Sequence, residues 1–193
     1  MASFYYKITL LCVLLFSLCQ CTQKQNQAVS FNKEVEDGDI ILRKEGGFIS
    51  SLFSSVATQN NAFSHVGILV HQADGSLAVI HCELKDKKEL SSLRKDSIET
   101  YLCMADTFAV YRVVLEDVSG SDIVDHAQQS LRKGYMFDMD FDANTDSVLY
   151  CTEFVAKTIN KAAGYECVKP TKYLAGKVGY SIDDIITFCK LVD

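Results

Sequence analysis

The chain has 193 residues, 48% of them apolar, with eight cysteines, one proline and no tryptophan. That length suggests a single domain, and the apolar fraction is enough for a sizeable core. With 19 basic and 25 acidic side chains the formal net charge is −6, which argues against a phosphate-backbone binder, so nucleic acid is not an expected partner.

The N-terminal segment differs from the rest. Lys7 is the only charged residue before Lys24, and residues 8–18 form an apolar run. A basic start, a short apolar stretch and then polar residues describe a secretory signal. The run falls short of the roughly 20 apolar residues that span a bilayer. It ends in Leu18-Cys19-Gln20-Cys21-Thr22, which resembles a bacterial lipoprotein signal with Cys21 as the lipidated residue. Leu18 lies three before Cys21, as that pattern prefers; Gln20 departs from it, and Cys19 is the alternative. The expected organisation is a signal over 1–20, a tether over 21–34 and a domain over 35–193. The expected location is the bacterial cell envelope, with a lipid anchor rather than a span.

Cleavage before Cys21 removes two cysteines, and lipidation of Cys21 leaves five. Five is odd, so at least one thiol is free or pairs between chains. Cys82, Cys103, Cys167 and Cys189 are candidates for disulfides, whereas Cys151 is expected to stay free. There is no CxxC pair, which argues against a structural zinc site.

Along the domain, Asp37-Gly38 predicts a turn and 39–43 a short strand. Gly46-Gly47 breaks the chain, and Phe48, Ile49, Leu52, Phe53 and Val56 recur at helical spacing. Residues 64–71 and 77–82 predict strands joined through the Asp74-Gly75 hairpin signal. A short helix is expected over 96–104 and a third long strand over 108–115. Ser121 is a candidate cap for a helix that buries Ile123, Val124, Ala127 and Leu131 and closes at Gly134. A helix over 150–163 turns Phe154, Val155, Ile159 and Ala162 inward and stops at Gly164. Ser181 is a candidate cap for a last helix through Cys189. Strands followed by helices, with hairpin links, give an α+β domain around an antiparallel sheet.

Cys151 falls at a predicted helix start, where free N–H groups and the helix dipole favour an anion and so a lowered thiol pKa. His65 stands on the predicted strand with Gly67 and Leu69 on its face, and Gly67 leaves room beside it. A neutral imidazole there can take a thiol proton and return it to a leaving group.

The order Asp37-Gly38-Asp39-Ile40-Ile41, then Phe63-Ser64-His65-Val66-Gly67-Ile68, then Gly134-Tyr135 and Tyr150-Cys151-Thr152-Glu153-Phe154-Val155 resembles the permuted papain-like amidases of the YiiX type. These group with NlpC-type peptidases and the lecithin–retinol acyltransferases. The resemblance covers about residues 35–164 and implies a circularly permuted papain-like fold, with the His before the Cys. It also implies Cys151 as nucleophile and His65 as base in amide cleavage through a thioester. His81 is favoured as the group that orients His65, with Glu83, on the same strand face, as the alternative. The resemblance further implies Tyr135 as a hydroxyl near the developing oxyanion, beside the Cys151 N–H. Glu153 matches the pattern after the Cys and reads first as a helix-start carboxylate.

The expected substrate is a small peptide or acyl amide, with peptidoglycan peptides and N-acyl compounds as examples. No cofactor and no metal are expected. Two other classes remain beside this one: a non-catalytic ligand-binding lipoprotein of the same fold, and an acyltransferase on lipid esters. A zinc site of His65, His81 and Cys151 is a less favoured further reading. The aspartates at 138, 140, 142 and 146 are spaced like a calcium loop but lack its central Gly and terminal Glu. Sequence leaves the oligomeric state open.

Overall fold

The computed structural model describes residues 30–31, 34–45, 62–84, 92–174 and 176–193, with the backbone alone for 172–174. The expected signal, the Cys21 anchor and the helix around 48–56 lie outside the described residues. The chain falls into two units, Met1–Ser30 and Phe31–Asp193, and every element below belongs to the second.

Ten strands and four helices are described: β1 Ile40–Glu45, β2 His65–His71, β3 Leu77–Cys82, β4 Leu93–Ser97, α1 Ile98–Leu102, β5 Ala105–Val113, α2 Gly120–Lys133, β6 Met136–Phe137, β7 Val148–Leu149, α3 Cys151–Ala163, β8 Lys172–Leu174, β9 Lys177–Gly179, α4 Ile182–Ile186 and β10 Cys189–Leu191. Six strands form one antiparallel sheet in the order β10-β5-β1-β2-β3-β4. The pairs β6–β7 and β8–β9 stand apart as small parallel and antiparallel ribbons.

The central strands read as continuous apolar runs because both sheet faces are covered. Ile40, Ile41 and Leu42 are all fully buried, as are Ile68 and Leu69. One face, with Leu42, Val66, Ile68 and Ile80, packs with Ile123 and Ala127 of α2, Phe154 and Ile159 of α3, and Ile182 and Ile185 of α4. The other face carries Ile41, Leu69 and Val79 together with the polar residues of the site. No described helix is long and apolar enough to cross a membrane.

Several expectations are corrected. The helix expected from residue 96 begins instead as β4, and α1 starts only after Ser97, whose hydroxyl accepts from Thr100 N–H. β4 is an edge strand with charged residues along it, and such a strand shows little hydrophobic alternation. The cap of α2 is Ser119 rather than Ser121: Ser119 accepts from Asp122 N–H, and the Asp122 carboxylate bonds back to Ser119, a reciprocal capping arrangement. The last helix ends at Ile186, and Cys189 belongs to β10, which pairs with β5. The five described cysteines, including the four disulfide candidates, are all free thiols.

The acidic loop after β6 is closed by its own hydrogen bonds. Asp138 accepts from the N–H groups of Asp140 and Asp142, and Lys177 pairs with Asp140 at 3.1 Å. A lysine ammonium therefore lies where a calcium-loop reading would place a cation.

Candidate active site

Antiparallel pairing sets which side chains share a sheet face. Arg43 stands opposite His65, Gly67 opposite His81, His81 opposite Arg94, and Val79 opposite Asp96. Arg43, His65, His81, Arg94 and Asp96 therefore project from the same side of four adjacent strands. Gly67 lets them meet. A Cβ at Gly67 would come within 2.4 Å of Val79 Cγ1 and 3.1 Å of His81 Cβ, so the missing side chain leaves space for His81.

The result is a line of hydrogen bonds. His65 Nε2 lies 2.9 Å from His81 Nδ1, and His81 Nε2 lies 3.1 Å from Asp96 Oδ2. Asp96 is also paired with Arg94 through its other carboxylate oxygen. The imidazoles cross nearly edge to face, 5.1 Å between centroids, and the fully buried Tyr101 ring lies 5.8 Å from His65 and 4.9 Å from His81. Arg43 sits over that ring at 4.3 Å and donates to the Tyr101 carbonyl at 2.6 Å.

Glu83 makes a different connection. Its carboxylate accepts from Arg43 at 2.5 Å and faces Arg94 at 3.8 Å, so the side chain bonded to His65 is His81. Glu83 still acts on His81 through its charge.

Cys151 opens α3, as the sequence predicts. The Tyr150 N–H ahead of it is met by the Glu153 carboxylate at 3.4 Å, and Glu153 also pairs with Lys157 at 2.9 Å. Burial pushes Glu153 up to about 7. This arrangement agrees with the structural role expected for Glu153 at the helix start.

The backbone N–H groups of Thr152, Val66 and Cys151 itself pull the thiol pKa down. Val66 directly follows His65 and lies just outside the β2–β3 ladder, whose first pair is Gly67 with His81. The Arg43 guanidinium also lowers the pKa values of Cys151, His65 and His81, so one cation acts on all three groups.

The electrostatics correct one expectation. Burial pushes the Cys151 thiol up to about 11, despite the helix-start N–H groups and Arg43 pulling it down. Cys151 is 2% exposed and His65 8%. Burial also holds His65 well below the ordinary imidazole value, with Arg43 and His81 adding to the shift. Desolvation penalises either charged form and so favours a neutral thiol and a neutral imidazole at rest.

Tyr135 is buried in the core cluster that also contains Cys151. Its ring carries Lys133 at 5.1 Å, and its carbonyl accepts from Ser92 N–H at 2.7 Å. His71 pairs with Asp37 near the surface at 2.9 Å, away from this line.

Among the described residues, the group with metal-ligand types in reach of one another is His81, Glu83 and Asp96, with atoms within 4.8 Å. It differs from the His65, His81 and Cys151 set considered from sequence. Sequence reasoning missed Arg43, Arg94, Asp96 and Tyr101. Arg43 reads as the polar end of an apolar run, and Asp96 as a residue at a helix start.

A family profile described as "Permuted papain-like amidase enzyme, YaeF/YiiX, C92 family" matches residues 34–186. Among solved structures, the crystal structure of metalloprotein YiiX from Escherichia coli O157:H7 is similar, with a TM-score of 0.62 at 19% identity over 82% of this chain and 96% of that one. The sequence matches none of the curated proteins.

Proposed function

Because this chain belongs to the permuted papain-like amidase family, we propose that it is an amide hydrolase in which Cys151 attacks the carbonyl and His65 is its base. The observation that carries this is the union of three features at one end of the sheet. They are a buried thiol at a helix start, the His65–His81 contact, and a common cation acting on all three groups.

In the resting site both partners are neutral. The thiol proton therefore passes to His65 as the sulfur attacks, rather than from a preformed ion pair. The C–S bond forms as the carbonyl π bond opens. The Cys151 N–H at the start of α3 and the Tyr135 hydroxyl are the proposed donors to the oxyanion. His65 then gives its proton to the leaving amine, and water resolves the thioester. A preorganised donor of this kind is typically worth about a hundredfold or more in rate.

Small peptides or acyl amides remain the proposed substrates. Export and lipidation at Cys21 belong to the same proposal and rest on residues 1–21. They are tested by labelled palmitate, which wild type should incorporate and Cys21→Ser should not.

The similar YiiX structure is described as a metalloprotein, which raises the question of a cation here. The donor set does not fit one. Arg43 and Arg94 hold the carboxylates of Glu83 and Asp96, and two guanidinium charges oppose a third cation at that position.

The test is turnover of an acyl-peptide library with mass detection of an acyl adduct. Wild type should hydrolyse at least one member, with the adduct on Cys151. Cys151→Ala and His65→Ala should lose turnover. Turnover that survives in Cys151→Ala ends this reading, and saturable binding without turnover in wild type favours the ligand-binding lipoprotein instead. Product appearing on an added amine or alcohol would mark an acyltransferase.

A further inference from the structure

We infer that Asp96 is a positioning residue that fixes the proton of His81 on Nε2 and so makes Nδ1 of His65 the basic atom of the site. This rests on the reading of His65 as the base, and it adds to that reading a residue on the sheet edge.

Donors and acceptors alternate along the line. The Asp96 carboxylate can only accept. One oxygen is taken by Arg94, and the other lies 3.1 Å from His81 Nε2. A neutral His81 must therefore carry its proton on Nε2, because a lone pair there would face the carboxylate. That leaves a lone pair on His81 Nδ1, which lies 2.9 Å from His65 Nε2. His65 donates from Nε2 and keeps its own lone pair on Nδ1. The reverse order, with both imidazole protons shifted to Nδ1, would turn the lone pair of His65 onto His81, where it is already engaged. The choice between the two tautomer chains is thus made at Asp96, at the far end of the line from the base.

Burial pulls the Asp96 carboxyl up, but the hydrogen bonds from His81 and Arg94 bring it below its ordinary value, so it is ionised at neutral pH. When His65 takes the thiol proton on Nδ1, its positive charge is shared along the line toward that carboxylate. No proton needs to reach His81 or Asp96, and the same proton later leaves with the amine. The other groups facing His81 are Arg43 from β1, Glu83 just after β3, Arg94 from β4 and Tyr101 from α1. Of these, Glu83 is another acceptor, and it is committed to Arg43.

The test reads ring nitrogens directly, in the full chain with 15N-labelled histidine near pH 7.5. In wild type, His81 and His65 should both show the proton on Nε2 and a lone pair on Nδ1. Asp96→Ala should give a mixed or reversed His81 tautomer, with kcat reduced about ten- to a hundredfold and KM little changed, the range seen when an outer partner of a functional imidazole is removed. Arg94→Gln removes the other partner of Asp96 but leaves the acceptor. It should keep the wild-type tautomers, which separates positioning from a merely structural role of the ion pair. The wild-type spectrum is decisive even if Asp96→Ala does not fold: a proton on His81 Nδ1 overturns the inference. An Asp96→Ala spectrum unchanged from wild type also overturns it. A protein with the expected tautomers and no hydrolysis of any substrate would sink the hydrolase reading while leaving this assignment in place.

Discussion

Gly67 faces His81 across the β2–β3 ladder, and its missing side chain shapes the site. Adding one methyl brings it to 2.4 Å from Val79 Cγ1 and 3.1 Å from His81 Cβ. Val79 can rotate in part, but His81 is fully buried and bonded at both ring nitrogens. Gly67→Ala should therefore cost about 1–3 kcal/mol, the usual range for overpacking, in urea unfolding. It should also reduce turnover more than it changes KM, by tilting His81 away from His65. The Cys151 thiol gives a second prediction at this scale. Because burial pushes it up to about 11, alkylation of Cys151 by iodoacetamide in the resting protein should be slow at pH 7–8 and rise only toward strongly alkaline pH. A labelling midpoint well below 8.5 would show that the helix-start N–H groups and Arg43 outweigh desolvation after all. Arg43 cannot be exchanged for lysine without loss. It donates to the Tyr101 carbonyl, covers the Tyr101 ring and holds Glu83 and Glu45, which is a task for a planar fork rather than a point charge.

At the scale of elements, the turn before β1 is locked against the start of α2. A Cβ on Gly120 would lie 1.9 Å from the Asp37 carbonyl oxygen, and one on Gly38 would lie 2.6 Å from Gly120 Cα. These are backbone contacts, so neither neighbour can rotate out of the way. Gly120→Ala should cost about 3 kcal/mol, at the upper end of overpacking, because α2 must separate from the turn that leads into β1. Gly75 is the comparison: it has a positive φ of 81°, and a Cβ added there would meet nothing within 4 Å. Gly75→Ala should cost about 1–2 kcal/mol, from backbone conformation alone. Urea midpoints of the two variants test the ordering. The turn matters to the site because β1 carries Arg43 beside His65.

For the whole molecule, pH connects the site to stability. His65 and His81 are held below the ordinary value of 6.5, chiefly by burial. As pH falls below 6.5 the unfolded chain takes up protons at these positions that the folded chain does not, so stability falls with acidification. Each such imidazole contributes up to about 1.4 kcal/mol per pH unit. Glu153, pushed up to about 7 by burial, acts in the opposite sense between 4.5 and 7, so the total slope is shallower than two histidines would give. The contribution of His65 is isolated by comparison with His65→Gln. Between pH 7.5 and 5.5, wild type should lose more stability than this variant does, and equal losses would mean that His65 is protonated in the folded protein.

Local patterning was enough to read β1, β2, β3, α2 and α3, because each is an apolar run or amphipathic helix marked by its own turn or stop. The family and the permuted order of His65 and Cys151 were legible for the same reason: short motifs keep their spacing along the chain. β4, β8, β9 and β10 were not legible. They are short and, in β4 and β10, lie at sheet edges, where solvent on one side removes the apolar signal that burial imposes. The line from His65 through His81 to Asp96 depends on register between strands, and register is a relation between distant segments. The state of the Cys151 thiol depends on how deeply folding buries it, which no neighbouring residue in the chain encodes. Short motifs and the resemblance they carry thus singled out Cys151 and His65 as the proposed nucleophile and base, while strand register decided that His81 and Asp96 line up with His65.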